Sequence, residues 1–261
     1  MKLIILCDIF STFAGCIIHH EPLLPMPTHE TTTELFNQIA PKYDLMNHLM
    51  SFELDRLWRR KAVRRVANRR EALKVLDLAT GTGDLAIATA RRMGADGTVT
   101  GVDLSEEMLI QGRFKVADED LQKNIELIKG NAESLPFGDD SFDRVSVAFG
   151  VRNYENLADG LREACRVLRP GGRMVILELS YPDNALLLKG YKLYALKFLP
   201  WLGEKISGHR EAYTYLPESI LRFPKPAQFI PLLEEAGFQN CQCLSLSFGI
   251  CRLYTAEKAA R

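Results

Sequence analysis

The sequence lacks an excess of either charge, a paired-cysteine motif, a bilayer-spanning run and any internal repeat. Its 33 Lys plus Arg are matched by 33 Asp plus Glu, for a formal net charge of zero. Global charge therefore carries no footprint of a nucleic-acid partner, and none is expected. The cysteines, Cys7, Cys16, Cys165, Cys241, Cys243 and Cys251, form no CxxC pair. Cys241 and Cys243 share a face if they lie on a strand, but zinc would need further Cys or His nearby. No metal is expected, and the thiols read as reduced residues of a cytosolic enzyme. There is also no low-complexity linker. The 261 residues suit one large α/β domain or two small ones, and 47% apolar content can fill a sizeable core.

The N-terminus stands apart. Met1 to Ile18 is apolar with a single Lys, and Phe13-Ala14-Gly15-Cys16 loosely resembles a lipoprotein cleavage site. Asp8 breaks the run, which a secretion signal would avoid, and the run is too short to span a bilayer. Met26 stands just before the first organised segment. The expectation is that residues 1–25 are a disordered tail or precede the true start, an exported lipoprotein being the less favoured alternative. Residues 26–261 then form one domain of a cytoplasmic enzyme.

From residue 74 strands and helices alternate, as in a parallel sheet wrapped by helices. The pattern predicts strands at 74–79, 98–104, 125–129, 144–149 and 173–179. It predicts helices at 84–93, 105–117 and 157–168. Ser105 is placed to N-cap the second helix, with Glu106 and Glu107 at its positive end. Pro170-Gly171-Gly172 is read as the stop of the third helix. After Ser180 the alternation breaks. Leu186 to Leu202 reads as one or two helices over the site, Pro226 to Ala236 as another. Residues 242–248 and 250–255 read as two closing strands around Gly249. Helical cap segments are expected at about 31–68 and 185–222.

The strongest motif is Val75-Leu76-Asp77-Leu78-Ala79-Thr80-Gly81-Thr82-Gly83-Asp84, a strand running through a glycine turn into a helix. Glycines admit close ligand approach, and the helix start offers unpaired N–H groups. Gly81-x-Gly83-x-x-Ala86 also satisfies a relaxed dinucleotide fingerprint. Three features favour S-adenosylmethionine. Asp77 can reach an ammonium group directly or through water but would repel a pyrophosphate. Asp103 ends the second strand, where it can accept from both ribose hydroxyls. Asn131-Ala132-Glu133 follows the third, where an amide can read adenine. Each residue alone is equally consistent with a turn glycine, a helix cap or a loop acid. Their order at successive strand ends points to a ligand site.

With these residues in place, the chain resembles class I methyltransferases. Tyr43-Asp44-Leu45-Met46-Asn47-His48-Leu49-Met50-Ser51, ending in Trp58, resembles the first signature of the menaquinone/ubiquinone biosynthesis C-methyltransferases. Arg166-Val167-Leu168-Arg169-Pro170-Gly171-Gly172, running to Glu178-Leu179-Ser180, resembles their second, and Phe149-Gly150-Val151-Arg152-Asn153 is typical of them. The resemblance covers about Thr33 to Thr255. Asp55 stands where that family usually has His, Arg169 where it has Lys, and Ala148 where some members have Ser.

The resemblance implies a Rossmann-like fold, with a mostly parallel seven-stranded sheet and helices on both faces. It implies C-methylation of a prenylated quinol, demethylmenaquinol being favoured over the methoxylated benzoquinol of ubiquinone synthesis. Cofactor contacts are expected from Asp77, Gly81, Thr82, Gly83, Asp103, Leu104, Asn131 and Ala132. Tyr43, Asp84, Arg152 and Asn153 are expected around the substrate ring. Methylation of another small molecule, a nicotinamide-dependent oxidoreductase and a non-catalytic scaffold stay open as alternatives.

A sulfonium methyl needs little activation, whereas a quinol carbon is a weak nucleophile until a hydroxyl loses its proton. That requires a base or an oxyanion stabiliser. Arg152, with a pKa above about 12, cannot act as a base. It is assigned to the developing phenolate, against the alternative of an ion pair with Glu155 or Asp159. Asn153 could orient a water, Tyr43 could close the pocket, and Asp84 could accept a proton or position the cofactor. His48 is the other group with a useful pKa. Leu187, Leu188, Tyr191, Tyr194, Phe198, Leu199 and Trp201 offer an apolar stripe for a substrate tail, or simply core. Arg56 to Arg70 carries eight basic residues. It reads equally as a solvated face or as a peripheral contact with the inner face of the cell membrane. A homodimer is also admitted.

Overall fold

A computed structural model describes residues 28–69, 71–199, 205 and 210–260. The expectations for residues 1–25 and Trp201, and for the Phe198 side chain, lie outside the described residues. The helices are α1 (His29–Ile39), α2 (Tyr43–Ser51), α3 (Leu54–Val66), α4 (Asp84–Ala90), α5 (Glu106–Asp118), α6 (Leu157–Val167), α7 (Ala185–Leu193), α8 (Arg210–Arg222) and α9 (Pro226–Glu235). The strands are β1 (Lys74–Leu78), β2 (Thr98–Asp103), β3 (Ile125–Lys129), β4 (Phe142–Ala148), β5 (Leu168–Leu179), β6 (Phe238–Leu246) and β7 (Cys251–Lys258). They form one sheet in the order β3-β2-β1-β4-β5-β7-β6. The first five are parallel, and β7 runs antiparallel to both β5 and β6. The expected α/β, Rossmann-like sheet of seven strands is present.

Central strands covered on both faces read as continuous apolar runs. In β1 every residue after Lys74 is buried. Val75 packs into one core with Trp58 and Leu85, while Leu76 and Leu78 pack into the other with Leu161 and Phe229. Asp77 shares the Val75 face, and its register partner on β4 is Ser146. That pairing decides where the Asp77 carboxylate goes.

Several boundaries differ from expectation for identifiable reasons. β5 starts at Leu168, directly after α6, and Phe142 pairs with Leu168 before the register jumps to Arg144–Arg173. Pro170-Gly171-Gly172 is therefore an irregularity inside the strand and not a helix stop; Gly171 has φ +74° there, and proline has no N–H to pair. β4 ends at Ala148 because Phe149 turns to φ 61°. β6 begins at Phe238, four residues earlier than the alternation suggested, and shifts register between Gln239 and Gln242. Ser105 does cap α5, accepting from the Met108 N–H at 3.2 Å.

The cap is formed by α1–α3 and by α7 and α8. The preamble breaks at Pro41 and again at Phe52-Glu53, which both take left-handed backbone. α7 runs on into a wider π turn over Tyr194–Phe198. Among the described residues no helix is long and apolar enough to cross a membrane, and no group of three or more His, Cys, Asp and Glu could hold a metal.

The carboxyl ends of β1 and β4 meet where a Cβ on Gly150 would lie 2.4 Å from the Ala79 Cβ. Gly150→Ala must push these ends apart, and overpacking of this kind costs about 1–3 kcal/mol. A lower urea midpoint with an unchanged slope is expected; an unchanged midpoint would show that the contact is slack.

Candidate active site

Two cavities adjoin at the carboxyl ends of the strands. The first is a crevice of about 90 Å³ floored by strand-end residues and roofed by α1. Asp103, the last residue of β2, accepts from the Gly81 N–H at 2.8 Å and from the Ser105 N–H at 2.9 Å. Gly81 reaches it at φ +57°, a conformation that suits glycine. Burial pushes the Asp103 carboxyl up, and the N–H bonds offset this only in part. Each oxygen keeps a lone pair for a hydroxyl donor. Leu104, Gly130, Asn131, Ala132 and Asn153 line the same crevice.

Its roof is latched. His29 Nε2 lies 3.3 Å from Glu133, 3.5 Å from Glu155 and 3.3 Å from the Asn131 amide nitrogen. Asn131 Oδ1 accepts from the Glu133 N–H at 2.9 Å. The Ser105 hydroxyl and the Asn37 amide oxygen are 2.7 Å apart. A pocket that encloses a drug-sized ligand is about 300–1,000 Å³, so the crevice must widen for a nucleoside to enter. The Tyr154 hydroxyl, beside this crevice, is buried without a hydrogen-bond partner among the described residues.

The donors and acceptors fit a nucleoside. Asp103 supplies acceptors for hydroxyls, Tyr154 a spare donor, and Leu104 and Ala132 apolar edges. Gly81 leaves open space where a side chain would stand.

The second cavity is larger, about 490 Å³, and its wall is predominantly apolar: Met46, Met50, Trp58, Leu179 and Ile220, with Leu187, Tyr191, Tyr194 and Leu199 of the expected stripe. Leu188 does not line it. Arg152 and Asp55 are the charged residues on its wall. Phe36, Tyr43 and Phe149 line both cavities and form the partition between them. Phe36 and Tyr43 meet edge to face at 6.0 Å, and the Arg59 guanidinium sits 5.3 Å from the Phe149 ring centre. Burial raises the Tyr43 phenol despite nearby Arg152 and a hydrogen bond with Asn47.

The Arg152 side chain is buried, and its counter-ion is Glu178, not Glu155 or Asp159. Nη1 donates to Glu178 at 2.8 Å and to the Phe149 carbonyl, Nε donates to Ser219 at 3.3 Å, and the backbone N–H returns to Glu178 at 3.1 Å. Asn153 accepts from the Tyr215 hydroxyl at 2.9 Å. Its carboxamide oxygen is thereby engaged, and Asn153 lines the crevice while Tyr215 lines the apolar cavity.

Four expected site residues line neither cavity. Asp77 lies behind the crevice wall. Its oxygens accept from Ser146 at 2.6 Å and Thr80 at 2.7 Å, because the β1–β4 register sets Asp77 beside Ser146. Thr82 turns away to Asp44, 2.7 Å between oxygens, and Gly83 serves the turn at φ +80°. Asp84 is held by Lys115 and by Arg59 at 3.3 Å. Burial alone would raise its carboxyl, but Arg59 and Lys115 outweigh it and hold it below the usual range. Asp84 is therefore poorly suited to accept a proton. His48 is likewise absent from both linings and bonds Asp55 at 2.8 Å.

The model of the ubiE/COQ5 methyltransferase family matches residues 27–258. The chain belongs to that family. A ubiquinone/menaquinone biosynthesis C-methyltransferase of Geotalea daltonii is 43% identical over 229 residues, 88% of this chain and 97% of its own length. A demethylmenaquinone methyltransferase of Porphyromonas gingivalis is 44% identical over 232 residues, 89% of this chain and 94% of its own. Among solved structures, a SAM-dependent methyltransferase from Aquifex aeolicus superposes with TM-score 0.54 at 20% identity, over 76% of this chain and 88% of its own. That likeness concerns the fold.

Within this methyltransferase, sequence reasoning missed Glu178 as the Arg152 partner, Tyr215 as the Asn153 partner, and Lys115. An acid in the apolar run Met174-Val175-Ile176-Leu177-Glu178 was the available signal for the first. Nothing local marked the other two.

Burial carries the Asp77 carboxyl from its ordinary 3.8 to about 6, against two hydroxyl donors. The folded chain thus keeps a proton that the unfolded chain releases between about pH 4 and 6. Stability from this group falls as pH rises through that window, by ~3 kcal/mol in full. Asp77→Asn is expected to unfold at higher urea than the parent at neutral pH, with the gap closing on acidification to about pH 4. A gap independent of pH would refute the shift.

Proposed function

We propose that this enzyme methylates a ring carbon of a prenylated quinol with S-adenosylmethionine, the acceptor being demethylmenaquinol. The observation that carries the reading is the shared partition: a crevice of nucleoside character and an apolar cavity meet at Phe36, Tyr43 and Phe149, with Arg152 on the apolar side. The 44% identity to a demethylmenaquinone methyltransferase supports the acceptor. When bound, S-adenosylmethionine supplies an electrophilic sulfonium methyl.

In this reading Asp103 accepts from the ribose hydroxyls, Gly81 keeps the backbone clear, and Leu104, Asn131 and Ala132 border the base. Asp77 and Thr82 act on the cofactor only through the loop they brace. The acceptor ring rests against Tyr43, its tail among the aliphatic side chains and tyrosines of the large cavity. Arg152 Nη2 makes no hydrogen bond among the described residues, so it can meet an oxygen of the ring. A quinol hydroxyl titrates near the phenol range, about 10. A desolvated guanidinium beside it favours the phenolate, which raises electron density at the ring carbon.

Candidate proton acceptors on the cavity wall are weak. Burial would raise the Asp55 carboxyl, but Ser51, Arg59 and His48 hold it below the usual range. Tyr43 is shifted upward. Activation accordingly rests on Arg152 making the hydroxyl more acidic, with Glu178 fixing the guanidinium. The acceptor partitions into lipid, so we place the enzyme in peripheral contact with the inner face of the cell membrane.

Turnover with labelled cofactor, on demethylmenaquinol and on the methoxylated benzoquinol in parallel, tests the reading; activity on neither sinks it. Arg152→Lys should lower kcat by about 10²-fold while affinity for S-adenosylhomocysteine stays unchanged. Normal turnover would remove Arg152 from the chemistry. Asp103→Ala should weaken S-adenosylhomocysteine binding by about 10- to 100-fold in calorimetry. Tyr154→Phe should weaken it by about 3- to 10-fold without lowering Tm, because the hydroxyl has no hydrogen-bond partner to lose among the described residues. Unchanged affinity in either variant would overturn that residue's assignment.

A further inference from the structure

The mouth of the large cavity carries exposed aromatic rings. Phe52 and Phe248 both line the cavity yet are 72% and 83% exposed. Each sits on left-handed backbone, at φ 51° and 59°, beside a second left-handed residue, Glu53 at 63° and Ser247 at 46°. Bulky side chains rarely take this conformation, and strain of this kind persists only where neighbours enforce it. Here they do. Trp58 donates to the Ser247 hydroxyl at 2.9 Å, and Tyr194, whose hydroxyl donates to the Met50 carbonyl at 2.6 Å, sets its ring 6.1 Å from Phe52. Two aromatic rings are thus held out into solvent by connections that the cap itself braces.

The same cavity is lined by Leu186, Leu187 and Gly190 of α7, which has no buried residue and exposes Leu186, Leu187 and Leu193. Its charged residues are Lys189 and Lys192, both exposed, and it contains no acid. On α3, whose Leu54, Asp55 and Trp58 line the same cavity, the exposed charged residues are likewise all cations: Arg56, Arg60, Lys61, Arg64 and Arg65. The exposed acid that precedes the helix, Glu53, is neutralised by Arg56 at 3.0 Å. An apolar rim with cations at its margin matches the interface of an anionic bilayer, where rings enter the acyl boundary and lysines stay among head groups.

We infer that this rim is the membrane-docking surface, with Phe52 and Phe248 as insertion points and the flanking cations selecting anionic lipid. The occupant is a lipid surface and not a second copy of the chain, because the exposed charges of both flanking helices are of one sign and would repel their own images. The purpose assigned to the surface rests on reading the cavity as the site of a prenyl tail: the tail can slide from bilayer to partition without crossing water. The basic stretch of α3 is then the margin of the contact and not its centre.

Flotation of the full chain with vesicles tests this, using phosphatidylcholine alone and phosphatidylcholine with phosphatidylglycerol, at low and high salt. The parent should bind the anionic vesicles and weaken with salt. Phe52→Ser with Phe248→Ser should lower the partition coefficient by at least about 10-fold, the effect of re-exposing even one large apolar side chain. Lys189→Glu with Lys192→Glu should abolish the preference for anionic lipid. This lysine variant touches neither cavity and should keep parental turnover on a short-tailed quinol in detergent, while losing turnover on a long-tailed quinol in anionic vesicles. An unchanged Tm and S-adenosylhomocysteine affinity confirm that each variant is folded.

Parental binding no better than to neutral vesicles, or variants that bind like the parent, overturns the inference. So does a self-association in light scattering that the double serine variant abolishes. Vesicle binding is read without any quinol. Binding intact with no quinol turnover therefore sinks the substrate and leaves the surface standing, whereas turnover on soluble quinol with no vesicle binding sinks the surface alone.

Discussion

Lys115 holds two carboxylates at once, Asp44 of the cap at 2.7 Å and Asp84 at the head of α4. Arg59 extends the chain from Asp84 to Asp55, and Asp55 receives His48 and Ser51 at 2.8 and 2.7 Å. This network joins α2 and α3 to the glycine turn, and the two cavities depend on it. Tyr43 is the neighbour of Asp44, so the phenol that partitions the cavities is positioned by the ion pair beside it. Charges this close to the interior are costly alone and tolerable together. Losing one member leaves the others unpaired, so the cap is fastened as a unit.

A second buried pair, Arg152 with Glu178, is set into the end of the sheet. A guanidinium facing an apolar cavity needs a fixed counter-charge, and β5 supplies one from directly behind it. The pair neutralises the site at rest and leaves Nη2 without a hydrogen bond among the described residues. Rigid elements carry all of this: strand ends for Asp103 and Glu178, a short helical turn for Arg152, and the head of a helix for Tyr43.

The sheet could be read from the sequence because buried parallel strands leave a nearly unbroken apolar signal, as in β1, and because Ser105 and the glycine turn mark helix starts by their own chemistry. Asp103, Leu104, Asn131 and Ala132 could be read as neighbours because strand ends of one sheet fall along one line. Asp84 and Thr82 could not be separated from them in one dimension. Their side chains are claimed by Lys115 and Asp44, which lie 31 and 38 residues away in sequence, and no local pattern encodes that. Asp77 shows the same limit: its place in a strand was plain, but the register that hands it to Ser146 was not. The strand at Leu168–Leu179 was misread because Pro-Gly-Gly is a stop signal in general and, here, an irregularity tolerated inside a strand.

The aromatic partition also shapes the kinetics. Its two sides open onto different media, the crevice beneath α1 with its polar rim of His29, Glu133 and Glu155, and the larger cavity at a rim of phenylalanine and leucine. Neither reactant has to pass through the other's chamber. Under the proposed function a ternary complex can therefore assemble in either sequence. Yet α1 serves both chambers: His29, Thr32 and Thr33 face the crevice, Leu35 and Ile39 the larger cavity, and Phe36 both, so any movement of this helix for the nucleoside also reshapes the acceptor's wall.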